Sequence, residues 1–163
     1  MSVVENAEGV PEPVAQTLRI ISVAMAAGLT AMAGLVAWTY FNYKGEPPAP
    51  DRVRLINILT TVAMAVSVSG IAASEVLWRV LLKKRTGSLA GAVQAAFIVR
   101  LALREGPGLL GLTAAYLAAA NGTLKTYPAY WVNAVPFGLF LTFLAAHWPT
   151  AGRLASEARE IGL

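Results

Sequence analysis

The sequence predicts an all-α integral membrane protein: a bundle of four transmembrane helices followed by an amphipathic C-terminal tail. Three observations carry that reading. Hydrophobic residues make up 56% of the 163-residue chain and charged residues only 13%, whereas a soluble domain carries about a quarter charged. Four apolar runs, each near the ~20 residues that cross a hydrocarbon core, account for the imbalance. Aromatic residues then mark the ends of these runs, as interfacial belts do: Trp38, Tyr40 and Tyr43 after the first, Tyr130-Trp131 and His147-Trp148 around the last.

Residues 1–17 contain Glu5, Glu8 and Glu12 but no basic residue. A targeting segment would open with positive charge and continue at once into an apolar core, so this stretch reads as a mobile polar lead-in. The first span, 18–40, has no charge after Arg19, and Ala24/Gly28 and Ala27/Ala31 place small residues one turn apart for close helix approach. Three prolines and mixed charges in 44–54 make an exposed connection.

The second span, 55–82, is longer than the hydrocarbon is thick, at about 1.5 Å per residue against ~30 Å. Its last turns, with Glu75, Trp78 and Arg79, are therefore expected at the interface, and Glu75 precedes Arg79 by four residues, the favourable order for a helical ion pair. After the basic turn Lys83-Lys84-Arg85 comes the third span, 89–120, stopped by Asn121-Gly122. The fourth, 129–148, contains Pro136, which is expected to kink it. In the tail, 149–163, Thr150 is a candidate N-cap, Arg153 and Glu157 form an i,i+4 pair, and Leu154, Ala158 and Ile161 share an apolar face.

With four spans the two termini and the 83–88 turn share one side. That side holds Arg19, Arg79, Lys83, Lys84, Arg85, Arg153 and Arg159, against Lys44, Arg52, Arg54 and Lys125 on the other. The bias predicts a multi-pass protein of the cell inner (cytoplasmic) membrane with both termini in the cytoplasm. Net charge is +4, but the basic residues lie in connections and not on one face interleaved with aromatics, so no nucleic acid is expected. The expected partners are membrane lipids and either further copies of the chain or a larger membrane complex.

Charge inside the third span needs a reason, since each charged group at membrane depth costs about 2.5–3.5 kcal/mol on insertion scales. Antiparallel pairing of spans two and three gathers Glu75, Arg79, Arg100, Arg104 and Glu105, with Ser67 or Ser69 satisfying leftover hydrogen bonds. If all are paired the cluster is structural, the two arginines neutralising Glu105. If Glu105 lacks a cation, it becomes a candidate ion or proton site. Gly106-Pro107-Gly108 directly follows and is expected to act as a hinge. There is no cysteine and a single histidine, His147, so no disulfide, metal centre or cofactor is expected. Nor is there a nucleophile elbow, an HExxH or a phosphate-cradling glycine loop, and no catalytic residue is proposed.

Residues 85–117 resemble the loop and second helix of the proteolipid (c) subunit of rotary ATPases, through Ala96-Phe97-Ile98, Ala102-Leu103, Glu105 and Gly111-Leu112. That resemblance implies that Glu105 stands where the family carries its ion-binding carboxylate. The overall pattern, with Arg100-Leu-Ala-Leu-Arg-Glu-Gly106 at its centre and a proline after the last span, is also similar to small bacterial inner-membrane proteins without an assigned activity. The expected function is a non-catalytic membrane subunit, scaffold or assembly partner; the alternative is a proton- or ion-handling element using Glu105.

Overall fold

Long runs of Ala, Leu, Val and Ile, with proline confined mainly to connections and first turns, wind into helices. A computed structural model describes residues 9–84 and 88–161, and among these the regular structure is entirely helical. Helix α1 covers Glu12–Asn42, α2 Pro50–Lys83, α3 Leu89–Ala120, α4 Thr123–Thr126, α5 Val135–Ala146 and α6 Ala151–Glu160, with a 3₁₀ segment at Pro128–Ala134 leading into α5.

Three stretches are long and apolar enough to cross a membrane: α1, α2 and the continuous helical stretch Pro128–Ala146. Helix α3 is different. Arg100, Arg104 and Glu105 interrupt its apolar content, and it is the element the others pack around: α1, α2, α5 and the 3₁₀ segment all contact it. Its buried side includes Val93, Phe97, Leu101, Leu112, Ala115 and Ala118. The four similar spans expected from sequence therefore resolve into three apolar stretches around one more polar, more enclosed helix.

The starts of α1 and α5 differ from expectation, each for a local reason, while the tail folds as expected. Helix α1 begins at Glu12, inside the stretch 1–17 read as mobile, of which residues 1–8 lie outside the described residues. Pro13 in the first turn costs no hydrogen bond, and Glu12 is favourably placed at the helix N-terminus, where it also pairs with Arg19. Pro136 sits where the last apolar stretch changes helical form. It occupies the first turn of α5, where its missing N–H has no intrahelical partner to lose, and the residues before it adopt the tighter 3₁₀ form. The tail folds as α6, capped by Thr150, whose hydroxyl accepts a hydrogen bond from the Arg153 N–H at 3.3 Å. Leu154 and Ala158 are buried, and α6 packs against α1, so its apolar face meets the protein body.

Helix α3 passes through Gly106-Pro107-Gly108 without a break. Pro107 cannot donate to the Leu103 carbonyl one turn back, which frees that oxygen. The freed carbonyl faces Gly70 of α2: a side chain there would bring its Cβ to 2.6 Å from the Leu103 oxygen and 3.3 Å from the Pro107 ring. Glycine at position 70 thus lets α2 come close enough for a weak Cα–H···O contact to the unpaired carbonyl. Gly108 abuts Leu29 of α1 and Phe137 of α5. The segment expected as a hinge is a packing point where helices converge.

Candidate functional site

The antiparallel pairing of α2 and α3 brings Glu75 beside both arginines of α3. The Arg100 guanidinium donates from Nε to Glu75 Oε1 at 3.1 Å and from one terminal nitrogen to Oε1 and Oε2 at 2.8 and 2.9 Å. Arg104 donates to the same Oε1 at 2.6 Å and, through Nε, to Ser74 Oγ at 3.1 Å. The second terminal nitrogen of Arg100 reaches Glu157 of α6 at 3.0 Å, and Glu157 is also bonded by Arg153 at 3.3 Å. One guanidinium therefore ties three helices together.

Aromatic faces complete the enclosure. Arg100 lies 5.2 Å from the Trp78 ring centre and 5.0 Å from that of Phe143, and Arg104 lies 4.1 Å from Phe143. These contacts replace part of the hydration each cation loses, and loss is nearly complete for Arg100, whose side chain is 6% exposed. A charge this enclosed is tolerated only because carboxylates take up its donors. Arginine suits the position because its planar fork can serve two carboxylates at once, which an ammonium could not do with the same geometry.

This cluster is not composed as expected. Glu75, Arg100 and Arg104 do meet. Arg79 is exposed and makes no ion pair with Glu75 four residues earlier, because Glu75 turns toward α3. The hydroxyl that reaches an arginine belongs to Ser74; Ser67 donates to its own helix at the Ala63 carbonyl at 2.6 Å, and Ser69 does likewise to Ala65 at 2.9 Å. Glu105 stands apart. It is half-buried on α3 and makes no hydrogen bond or ion pair among the described residues, so the expected neutralisation of Glu105 by its flanking arginines does not occur. Helical geometry explains this: Arg104 is the adjacent residue and points about 100° away, toward α2.

Glu157 is the member that sequence reasoning missed. Its signal was present in the apolar spacing of Leu154 and Ala158, which predicts that α6 folds back on the body and carries Glu157 with it.

Between α2 and α6 lies an open cleft of roughly 1010 Å³. Arg100 and Glu75 line it together with Trp78, Arg79 and Lys83 from α2, His147 and Trp148 after α5, and Arg153, Glu157, Glu160 and Ile161 from the tail. His147 stacks on Phe143 at 4.7 Å between ring centres and sits at the cleft wall. No group of three His, Cys, Asp or Glu residues among the described residues is placed to hold a metal ion.

Within the paired cluster, Glu75 and Glu157 have their oxygens committed to guanidinium donors. Each of these carboxylates spends its acceptor oxygens on contacts that bridge two helices or two turns of one helix. The arrangement acts as a clasp between helices. The chain matches no protein-family model, no curated protein and no solved structure, so the chemistry of these residues alone carries a functional reading.

Proposed function

We propose that the protein is a non-catalytic, four-span membrane subunit or scaffold. In this reading α3 crosses the membrane inside a sleeve of α1, α2 and Pro128–Ala146, and both termini lie in the cytoplasm of a bacterial inner-membrane protein. The observation that carries it is the closed pairing of Arg100 with Glu75 and Glu157, which uses the enclosed charge to fasten helices and leaves those groups no role in turnover. The basic residues concentrated on the side of the α2 end and α6 support the orientation. Exposed apolar residues along α1 and α2, such as Val23, Leu55 and Val68, offer surface to lipid, to a second copy or to a partner subunit.

Purification in mild detergent followed by cross-linking in native membranes tests this. A defined oligomer or a reproducible partner is expected; a strictly monomeric chain that captures nothing in its own membrane removes the scaffold reading.

One observation favours a second reading. Glu105 is half-buried on the central helix with no ion-pair partner among the described residues, and an unpaired acid at membrane depth is the kind of group that takes up and releases a proton. Proton flux into liposomes carrying wild type or Glu105→Gln decides it. Flux abolished by the substitution supports a proton-handling element, and equal flux in the two discards it.

A further inference from the structure

We propose that the cleft between α2 and α6 binds the phosphate-bearing headgroup of an anionic phospholipid. The first argument is charge. The lining carries Arg79, Lys83, Arg100 and Arg153 against Glu75, Glu157 and Glu160. Glu75 and Glu157 are already bonded to guanidiniums, whereas Arg79 and Lys83, one turn apart on α2, have no carboxylate partner among the described residues. Two cations on one helix face, opposite Arg153 on α6, form a concave site for a phosphodiester, which can accept from both side chains at once.

The second argument is depth. Asn57, bonded to the Tyr130 hydroxyl, belongs to the aromatic belt at the far end of α2. Trp78 lies 21 residues later, a rise of about 32 Å, which matches the ~30 Å hydrocarbon core. The cleft, with Trp78, His147 and Trp148 in its walls, therefore opens at headgroup level on the basic, cytoplasmic-facing side. The third is amphipathic continuity. Val76 and Val80, 59% and 36% exposed, lie on α2 beside the cationic pair and give acyl chains an apolar track away from the cleft. The placement rests on the membrane orientation proposed above, and holds equally for a scaffold and for a proton-handling element.

The test uses the full-length protein, stripped of lipid in a neutral detergent and titrated with phosphatidylglycerol or phosphatidylcholine, with bound lipid counted by native mass spectrometry. One phosphatidylglycerol per chain is expected, in preference to phosphatidylcholine. The Arg79→Ala/Lys83→Ala variant should weaken it roughly tenfold or more, since each basic residue near a membrane surface contributes about 1 kcal/mol toward an anionic lipid. Both side chains are exposed and unbonded, so the variant should keep the wild-type melting temperature, which is measured alongside.

The matched control is Arg52→Ala/Arg54→Ala, two exposed basic residues at the opposite end of α2. Equal loss in both variants, or no loss in either, overturns the site. A third arm adds inorganic phosphate. If millimolar phosphate displaces the lipid completely, the cleft reads a soluble phosphate and the lipid assignment fails; lipid retained in its presence supports the headgroup.

Discussion

At the end where α2 finishes, Arg100 and Arg104 meet Glu75 and Glu157, and helices are joined by charge. At the opposite end no ion pair joins helices among the described residues, and neutral groups do the same task. The Tyr130 hydroxyl donates to Asn57 Oδ1 at 2.6 Å, Asn133 donates to Thr60 Oγ1 at 3.0 Å, and Tyr40 packs edge-on against Trp131 at 5.4 Å between ring centres. Lys125 contributes as a donor to the Tyr43 carbonyl at 2.8 Å, not as half of a salt bridge. At the turn after α3, Gly122 adopts φ +81° and leaves room for the Tyr43 ring.

The contrast teaches how each end fails. An ion-pair clasp couples its members, so removing Arg100 costs several charge-assisted hydrogen bonds at once and leaves Glu75 to Arg104 alone and Glu157 to Arg153 alone. A neutral contact set depends on shape and on single hydrogen bonds, each worth about 0.6 kcal/mol between membrane helices, and its members can be lost one at a time.

The sharpest way to break the comparison is Arg100→Ala. It removes the centre of the clasp and leaves Glu157 with only Arg153. A loss of about 2–3 kcal/mol in unfolding free energy is expected, measured by denaturant titration in detergent, because both acids keep a second cation. A loss below about 1 kcal/mol would mean that the charged end is no stronger than a surface pair.

Next in size is Gly111→Ala at the neutral end. The added Cβ would collide with the Asn133 backbone carbonyl, which cannot move aside as a side chain would. A cost of about 1–3 kcal/mol follows from overpacking, and a wild-type melting profile would show that the 3₁₀ segment is not held against α3.

Glu157→Gln tests the tie to α6 with little change of shape. A loss of about 1 kcal/mol is expected, together with faster amide exchange confined to residues 151–160, read by hydrogen–deuterium exchange. Unchanged exchange would assign the docking of α6 to Leu154 and Ala158 alone. The smallest effect is expected from Tyr130→Phe, which deletes one neutral hydrogen bond and should cost about 0.6 kcal/mol. A loss as large as that of Arg100→Ala would erase the distinction between the two ends.

Much of the architecture was legible in residue order. Apolar runs long enough for a bilayer, prolines in connections and first turns, Asn121-Gly122 after α3 and Thr150 before α6 locate the helices, because these signals act through the backbone within a few residues. Even span pairing also places Glu75 opposite Phe97 and about one turn from Arg100, within reach of its long side chain, since rise per residue is fixed and a tight turn sets the register. The misreadings have physical sources. Pro136, expected inside a helix, falls in a first turn, where it costs no hydrogen bond, and the carbonyl freed by Pro107 is met by a neighbouring glycine, here Gly70.

What the sequence by itself determined was an all-helical chain of long apolar runs with charge inside the third, read as four spans; that three apolar stretches surround one more polar helix came from the fold. Only the tertiary structure decided which charges meet. Glu105 and Arg104 are neighbours in sequence yet point to different faces of α3, while Glu157, 57 residues from Arg100, is carried to it by the folding back of α6. Side-chain direction around a helix changes by about 100° per residue, so partner choice is set by which neighbouring helix occupies each face, and that is a property of packing that no local run of residues contains.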